Sequence, residues 1–395
     1  MRVQTIFILW LIIVGMAPFS GQVHAKPDDT PLLIAIDADF STVAVEGGNA
    51  IARGVELAVA DINKAGGLMG RQVQIVHKDH RGNPARGVAN IKKLAELDNL
   101  IAVVGGIHTP VAIAELPYIH RHNILYLGPW AAGTPLVEND FSPNNVFRVS
   151  IRDSEAGSVL IKHAKAQGYK TVALVLERTG WGRSNLTSLK AAAAQQGVNI
   201  QKVAWINWHQ TNFSADAQSI QQAKVDAVIL VTNAPEGAVA INALYQTSEK
   251  PLPVIAHWGI GSGNFVKLIG MDMLAKLDIS VIQTFSFLYQ NNPVAAKLFK
   301  DYQQAYGETS KDSVSAVVGT AHAYDLVSML AIAVRQAESI ELNKVRHALE
   351  NLPPINGAVK RYMPAFTQSR HDALWADDYF MAQFDNNGNL IPITR

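Results

Sequence analysis

The stretch that decides the fold is Arg53–Leu97, RGVELAVADINKAGGLMGRQVQIVHKDHRGNPARGVANIKKLAEL. Apolar Ile51, Val55, Ala58, Val59 and Ile62 recur at the spacing of one helical face. Gly66 and Gly67 end that helix, because glycine takes the left-handed conformation of a helix stop at little cost. Val73, Ile75 and His77 then alternate with Gln72, Gln74 and Lys78, as in a strand with unequal faces. Asn83-Pro84 opens a second helix, with proline at a position whose N–H needs no partner.

The alternation continues outward from this unit. The patterning predicts strands at Leu32–Ile36, Val73–His77, Ile101–Gly105, Ile124–Leu127, Thr171–Leu176, Ile200–Trp205, Ala227–Val231 and Pro253–Ala256. Helices are predicted between most of them, at Asn49–Lys64, Ala85–Leu97, Val111–Arg121, Glu155–Ala166, Ser184–Gln195, Ala215–Gln222 and Glu236–Thr247. Short apolar strands alternating with helices imply parallel sheets covered on both faces. Two similar halves meet near residue 150, where Phe147-Arg-Val-Ser-Ile-Arg-Asp153 reads as a crossover and Asp153 or Ser154 as a helix cap. Later the rhythm changes: a strand at Val281–Leu288, helices at Pro293–Tyr306, Ala316–Ala337 and Asn343–Glu350, a strand at Tyr379–Phe384 and a tight turn at Asp385–Gly388.

Composition narrows the function. Residues 1–25 read as a cleavable export leader: Arg2, an apolar run Ile6–Met16 too short to span a bilayer, and Val23-His24-Ala25 at the cleavage site. Cleavage would leave a chain starting Lys26-Pro27. No other apolar run is read as reaching the ~18 residues of a membrane span, so a soluble protein of two domains is expected. Lys and Arg total 34 against 33 Asp and Glu, without the basic excess of a nucleic-acid binder. The chain has no cysteine, hence no disulfide, no thiol nucleophile and no lipid-anchoring cysteine at the leader boundary. The expected location is the periplasm of a double-membraned bacterium.

The run Gly54–Gly70, GVELAVADINKAGGLMG, resembles the first helix and turn of the leucine/branched-chain amino-acid-binding proteins of bacterial ABC importers. The resemblance extends over nearly the whole mature chain. It implies a type I periplasmic binding protein, α/β, with two Rossmann-like lobes of parallel sheet joined by crossover hinge segments. The lobes implied are 26–149 plus about 285–360, and 150–284 plus about 361–395. The implied partners are a small-molecule ligand and an ABC permease in the inner membrane; no cofactor is implied, and the protein is expected to be a monomer.

Ligands of open α/β sheets collect beyond the carboxyl ends of strands, which singles out four loops. In Gly106-Ile107-His108-Thr109-Pro110, Thr109 reads as a helix cap whose neighbouring free N–H groups suit a carboxylate. The resemblance gives this loop the ligand's α-carboxylate, with Thr109 at the family's hydroxyl position and His108 beside it. In Gly128-Pro-Trp-Ala-Ala-Gly133, Ala131 and Ala132 match the family's small-residue loop, and Trp130 reads as a pocket wall. In Glu177-Arg-Thr-Gly-Trp-Gly182, Trp181 matches the aromatic that covers the ligand. After Ala256, Trp258 stands where amino-acid binders of this type place the acid for the ligand's ammonium. A buried ammonium without a carboxylate is costly. Asp39, Glu46 or Glu236 could supply that acid, or the ligand could lack the amine: a small carboxylate, amide or aromatic compound. A periplasmic sensor feeding a signalling partner is the other binding class. No nucleophile elbow, phosphate loop or His-Glu-x-x-His motif is present, so neither catalysis nor a metal site is expected.

Overall fold

The computed structural model describes residues 30–247 and 250–393. The expected leader lies outside them. The first half runs β1 (Leu32–Ala38), α1 (Val45–Lys64), β2 (Val73–Asp79), α2 (Pro84–Leu94), β3 (Leu100–Gly105), α3 (Thr109–Arg121), β4 (Tyr126–Gly128) and β5 (Val146–Arg148). The second runs α4 (Asp153–Ala166), β6 (Thr171–Glu177), α5 (Gly180–Gln196), β7 (Asn199–Ile206), α6 (Ser214–Gln222), β8 (Ala227–Val231), α7 (Ala234–Gln246), β9 (Val254–Ala256), α8 (Phe265–Ile269), α9 (Met271–Leu274) and β10 (Ile279–Gln283). The remainder is α10 (Pro293–Tyr306), α11 (Val317–Ala337), α12 (Leu342–Glu350), β11 (Ile355–Asn356), β12 (Arg361–Tyr362), β13 (Phe380–Phe384) and β14 (Leu390–Pro392).

Two sheets organise these elements. One has five strands in the order β2-β1-β3-β4-β5, the other seven in the order β14-β13-β10-β9-β8-β6-β7. Pairing is parallel from β1 to β5 and from β6 to β10, and antiparallel where β13 and β14 extend the second sheet. This is the doubly covered, two-lobed α/β architecture that the alternation predicts. Helices α1 and α11 cover one face of the first sheet, α2 and α3 the other.

The glycine turn behaves as read: Gly66 and Gly67 sit at φ +95° and +83°, directly after α1. Gly54 has a second reason to be glycine. A Cβ there would lie 2.2 Å from the Thr320 carbonyl oxygen, so α1 and α11 meet backbone to backbone. Helix α11 is long and apolar enough to cross a membrane, which corrects the reading that no such run follows the leader. Here it is a core helix, most of it buried between the first sheet and its neighbours.

Several boundaries differ from those expected. Helix α1 starts at Val45 because Asp39 organises its entry, accepting from the amides of Thr42 and Ala44 at 2.8 and 3.0 Å. The strand expected at Val281–Leu288 is Ile279–Gln283, since the chain leaves the sheet at Thr284, whose hydroxyl bonds His322 of α11 at 2.9 Å. Arg152, not Asp153 or Ser154, precedes α4; Asp153 is its first residue, with a fully buried side chain. At the crossing, buried Arg148 pairs with Asp372 and donates to the carbonyls of Ala131 and Gly133. Residues 371–373 run beside Arg148 through backbone hydrogen bonds, and the chain joins the second sheet at Phe380.

Candidate functional site

The carboxyl ends of β3, β4, β6, β8 and β9 converge on one narrow crevice between the lobes. His108, Thr109, Trp130 and Ala132 line it from the first lobe, and Glu177, Trp181, Asn233 and Trp258 from the second. Six of the eight sequence candidates thus share one wall system. Ala131 lies behind it, its amide bonded to Gly106 and its carbonyl to Arg148. Glu46, in the first turn of α1, lines a larger adjoining cavity together with Trp130 and Trp258.

Each wall residue is held by its own element. Thr109 is the first residue of α3 rather than its cap, since His108 is the last extended residue before the helix. The His108 side chain leaves the helix end free and turns to Asp39, Nε2 to Oδ2 at 3.0 Å, both buried. Burial alone would raise the Asp39 pKa. Hydrogen bonds from His108, Thr42 and the Ala44 amide outweigh it and hold the carboxyl well below the usual range. Asp39 is therefore fully engaged within its lobe. The Thr109 hydroxyl accepts from the Gly133 amide at 3.1 Å. Its own proton stays available for a ligand acceptor.

The tryptophans are enclosed more deeply than a cleft wall would suggest: Trp130 is 4 % exposed, Trp181 6 % and Trp258 1 %. Trp181 sits in the first turn of α5, because Thr179 starts that helix earlier than expected. Its indole N–H donates to Asp153 Oδ1 at 3.2 Å, and its ring meets His257 edge-on at 5.0 Å. His257 Nδ1 accepts from the Trp258 amide, which leaves the proton on Nε2, 3.3 Å from the same Asp153 oxygen. Trp258 and Trp130 come from opposite lobes, and their rings lie 5.1 Å apart. Below them His322 donates from Nδ1 to the Pro129 carbonyl, and burial pushes its pKa down to about 4.

Two site residues were not singled out in the sequence. Glu177 is the last residue of β6 and is 1 % exposed. It accepts from the Asn233 amide at 2.5 Å and from the Trp208 indole N–H at 2.6 Å. No cation pairs with it among the described residues, and burial, reinforced by the nearby Glu236 charge, pushes its pKa up to about 8. The signal was an acid closing an otherwise apolar strand, VALVLE, at its ligand-facing end. Trp208, in the loop after β7, crosses to the first lobe and meets His108 edge-on at 5.3 Å. The Thr134 amide, bonded to Ser184 Oγ at 3.2 Å, makes a second contact between the lobes. Of the other acids considered, Glu236 is buried and accepts from the His209 amide, behind the crevice.

The crevice thus sets a helix N-terminus and a hydroxyl against a buried carboxyl between aromatic walls. That is an arrangement for holding a small polar solute, and no group of three or more His, Asp or Glu gathers as a metal site among the described residues. The periplasmic binding protein family model matches residues 32–389. The chain belongs to this family. Among its relatives, Leu/Ile/Val-binding protein homolog 2 of Brucella abortus is 26% identical over 82% of this chain and 83% of its own. The periplasmic binding protein type 1 from Bordetella pertussis has the same fold, with a TM-score of 0.83 at 21% identity over 92% of this chain and 100% of that one. The leucine-binding protein LivK from Thermotoga maritima superposes with a TM-score of 0.80 at 17% identity, over 92% and 98%. These relatives of the periplasmic binding protein are solute-binding proteins, not enzymes.

Proposed function

We propose that this periplasmic binding protein captures an amino acid or amino-acid-like solute between its lobes and delivers it, as a monomer in the periplasm, to an ABC permease in the inner membrane. One observation carries the reading. The crevice joins an α3 N-terminus from one lobe to Glu177, a buried carboxyl with no cationic partner among the described residues, from the other. A solute carboxylate meets the Thr109 hydroxyl at the start of α3, where the helix dipole favours negative charge. Its ammonium meets Glu177, which supplies the charge that Trp258 does not. Release requires the Trp208–His108 contact to part and the lobes to rotate about the crossing segments. The names of the Leu/Ile/Val-binding relatives support the solute class and the importer role.

The test is calorimetric titration of wild type, Thr109→Ala and Glu177→Gln with L-amino acids and with matched carboxylates lacking the amine. Wild type binds an amino acid, and each variant loses affinity. Tight binding of only the amine-free compounds favours the second reading, which rests on the tryptophan at position 258. Binding unchanged in both variants removes the crevice as the site.

A further inference from the structure

Between β5 of the first sheet and α4 of the second half the chain passes through residues 149–152, and Asp153 is the first residue beyond. Its side chain is fully buried, although aspartate is among the side chains least often enclosed. From there it reaches both walls of the crevice. Its amide donates to the Ala132 carbonyl at 2.9 Å, and Ala132 lines the first-lobe wall. The next amide of that loop, Gly133, is the one that donates to the Thr109 hydroxyl. On the other side, Asp153 Oδ1 accepts from the indole N–H of Trp181, which lines the second-lobe wall.

The surroundings of that carboxyl call for an acceptor. Two protonated ring nitrogens stand at the same Oδ1, the Trp181 indole at 3.2 Å and His257 Nε2 at 3.3 Å. A carboxylate accepts without donating, and a hydrogen bond to a charged acceptor is about twice as strong as a neutral one. Starting α4 does not account for it. Among the described residues its side chain bonds no free amide of that helix, and its second oxygen is buried without a hydrogen-bond partner. A helix start needs no enclosed acid. The far edge of the Trp181 ring is set too: a Cβ on Gly259 would lie 2.5 Å from its Cη2, so the ring closes directly on that backbone. The indole is thus fixed by its N–H at one end and by packing at the other.

On the reading that the solute is held in the crevice, we infer that Asp153 is a positioning residue for solute binding: one backbone and one side-chain hydrogen bond from it register the Ala132–Gly133 loop, which supports Thr109, against the ring of Trp181. Asp153 does not itself line the crevice and acts through residues that do.

The test screens wild type against the common L-amino acids, then titrates Asp153→Leu, Asp153→Asn, Trp181→Phe and the double variant Asp153→Leu/Trp181→Phe with whichever binds wild type most tightly. Asp153→Leu removes both oxygens and weakens binding about tenfold, as the loss of one hydrogen bond would. Asp153→Asn keeps an accepting oxygen and recovers part of that loss. Trp181→Phe keeps a flat ring without the N–H; adding Asp153→Leu to it weakens binding clearly less than tenfold, because the bond is already gone. In a nuclear magnetic resonance spectrum of the indole N–H groups without solute, the Trp181 signal, identified by its loss in Trp181→Phe, shifts in Asp153→Asn. A full tenfold effect of Asp153→Leu on top of Trp181→Phe overturns the inference. An unmoved Trp181 signal does so as well, as does a lowered melting temperature in Asp153→Leu with unchanged affinity. Each of these leaves the amino-acid reading standing. Where Asp153→Leu does not fold, the affinity and indole signal of Asp153→Asn decide in its place. No binding of any of the amino acids by wild type overturns that reading and the inference with it.

Discussion

Glu177 stands where two costs meet. It has lost most of its water, and Glu236 adds like charge behind it. With its pKa at about 8 the carboxyl is mostly protonated at pH 7 when no cation faces it. An arriving ammonium reverses that preference, because an opposite charge at short range favours the ionised form. Binding at pH 7 is therefore expected to release close to one proton. Titrations in buffers of different ionisation enthalpy measure it, and Glu177→Gln should abolish the release. Thr109→Ala should weaken binding by about 1–3 kcal/mol, the range for a hydrogen bond to a charged group left unmade. Much of this wall was legible in the sequence, because Thr109, Trp130, Trp181 and Trp258 follow strands directly. Glu177 was not, since it belongs to the strand itself and the aromatic four residues on drew the reading. Trp208 was missed because its role is a contact with the opposite lobe, which no local pattern encodes.

Elements came through where local chemistry alone sets them. The glycine stop after α1, the Asn83 cap of α2 and the Asn292 cap of α10 all act within a few residues, and those helices fall close to where the sequence places them. Ends set by tertiary partners did not. The short β5 depends on pairing with β4, and the end of β10 on the contact Thr284 makes with His322 of α11. The α1–α11 contact has a sharp consequence. Gly54→Leu drives a side chain into the Thr320 carbonyl, and backbone yields less than a side chain would. It should cost about 3 kcal/mol, the upper end of overpacking, read as a lowered urea midpoint. At the crossing, Asp372→Ala leaves Arg148 charged and buried without its carboxylate. Breaking a buried pair from one side costs about 3–5 kcal/mol, so this variant should be the less stable of the two.

The whole molecule carries several buried acids that prefer their protons. Asp37, at the end of β1, has its pKa pushed up to about 7 by burial, and Glu115 from α3 faces it with its own raised by burial and by the Asp37 charge. A carboxyl whose folded pKa exceeds its unfolded value of about 4 binds more protons when folded. Stability therefore falls as pH rises from about 4 to about 7, then levels off for this group. Glu177 extends the same trend to about pH 8. Asp37→Asn should flatten the decline in melting temperature between pH 5 and 8, and an unchanged slope would show that the proton sits elsewhere. The two-lobe plan itself was readable from strand–helix alternation. The closure was not, because Trp208–His108 and Thr134–Ser184 join residues far apart in the chain.

The most direct measurement is a thermal-shift comparison of the protein with L-amino acids and with the same carboxylates lacking the amine. Solute at ~100 times its dissociation constant stabilises the folded state by about 2.7 kcal/mol, a shift of several degrees. An upward shift with an amino acid and none with its amine-free partner is the predicted result. Equal shifts with both members of a pair, or a shift with the amine-free member alone, would contradict the pairing of Glu177 with a solute ammonium.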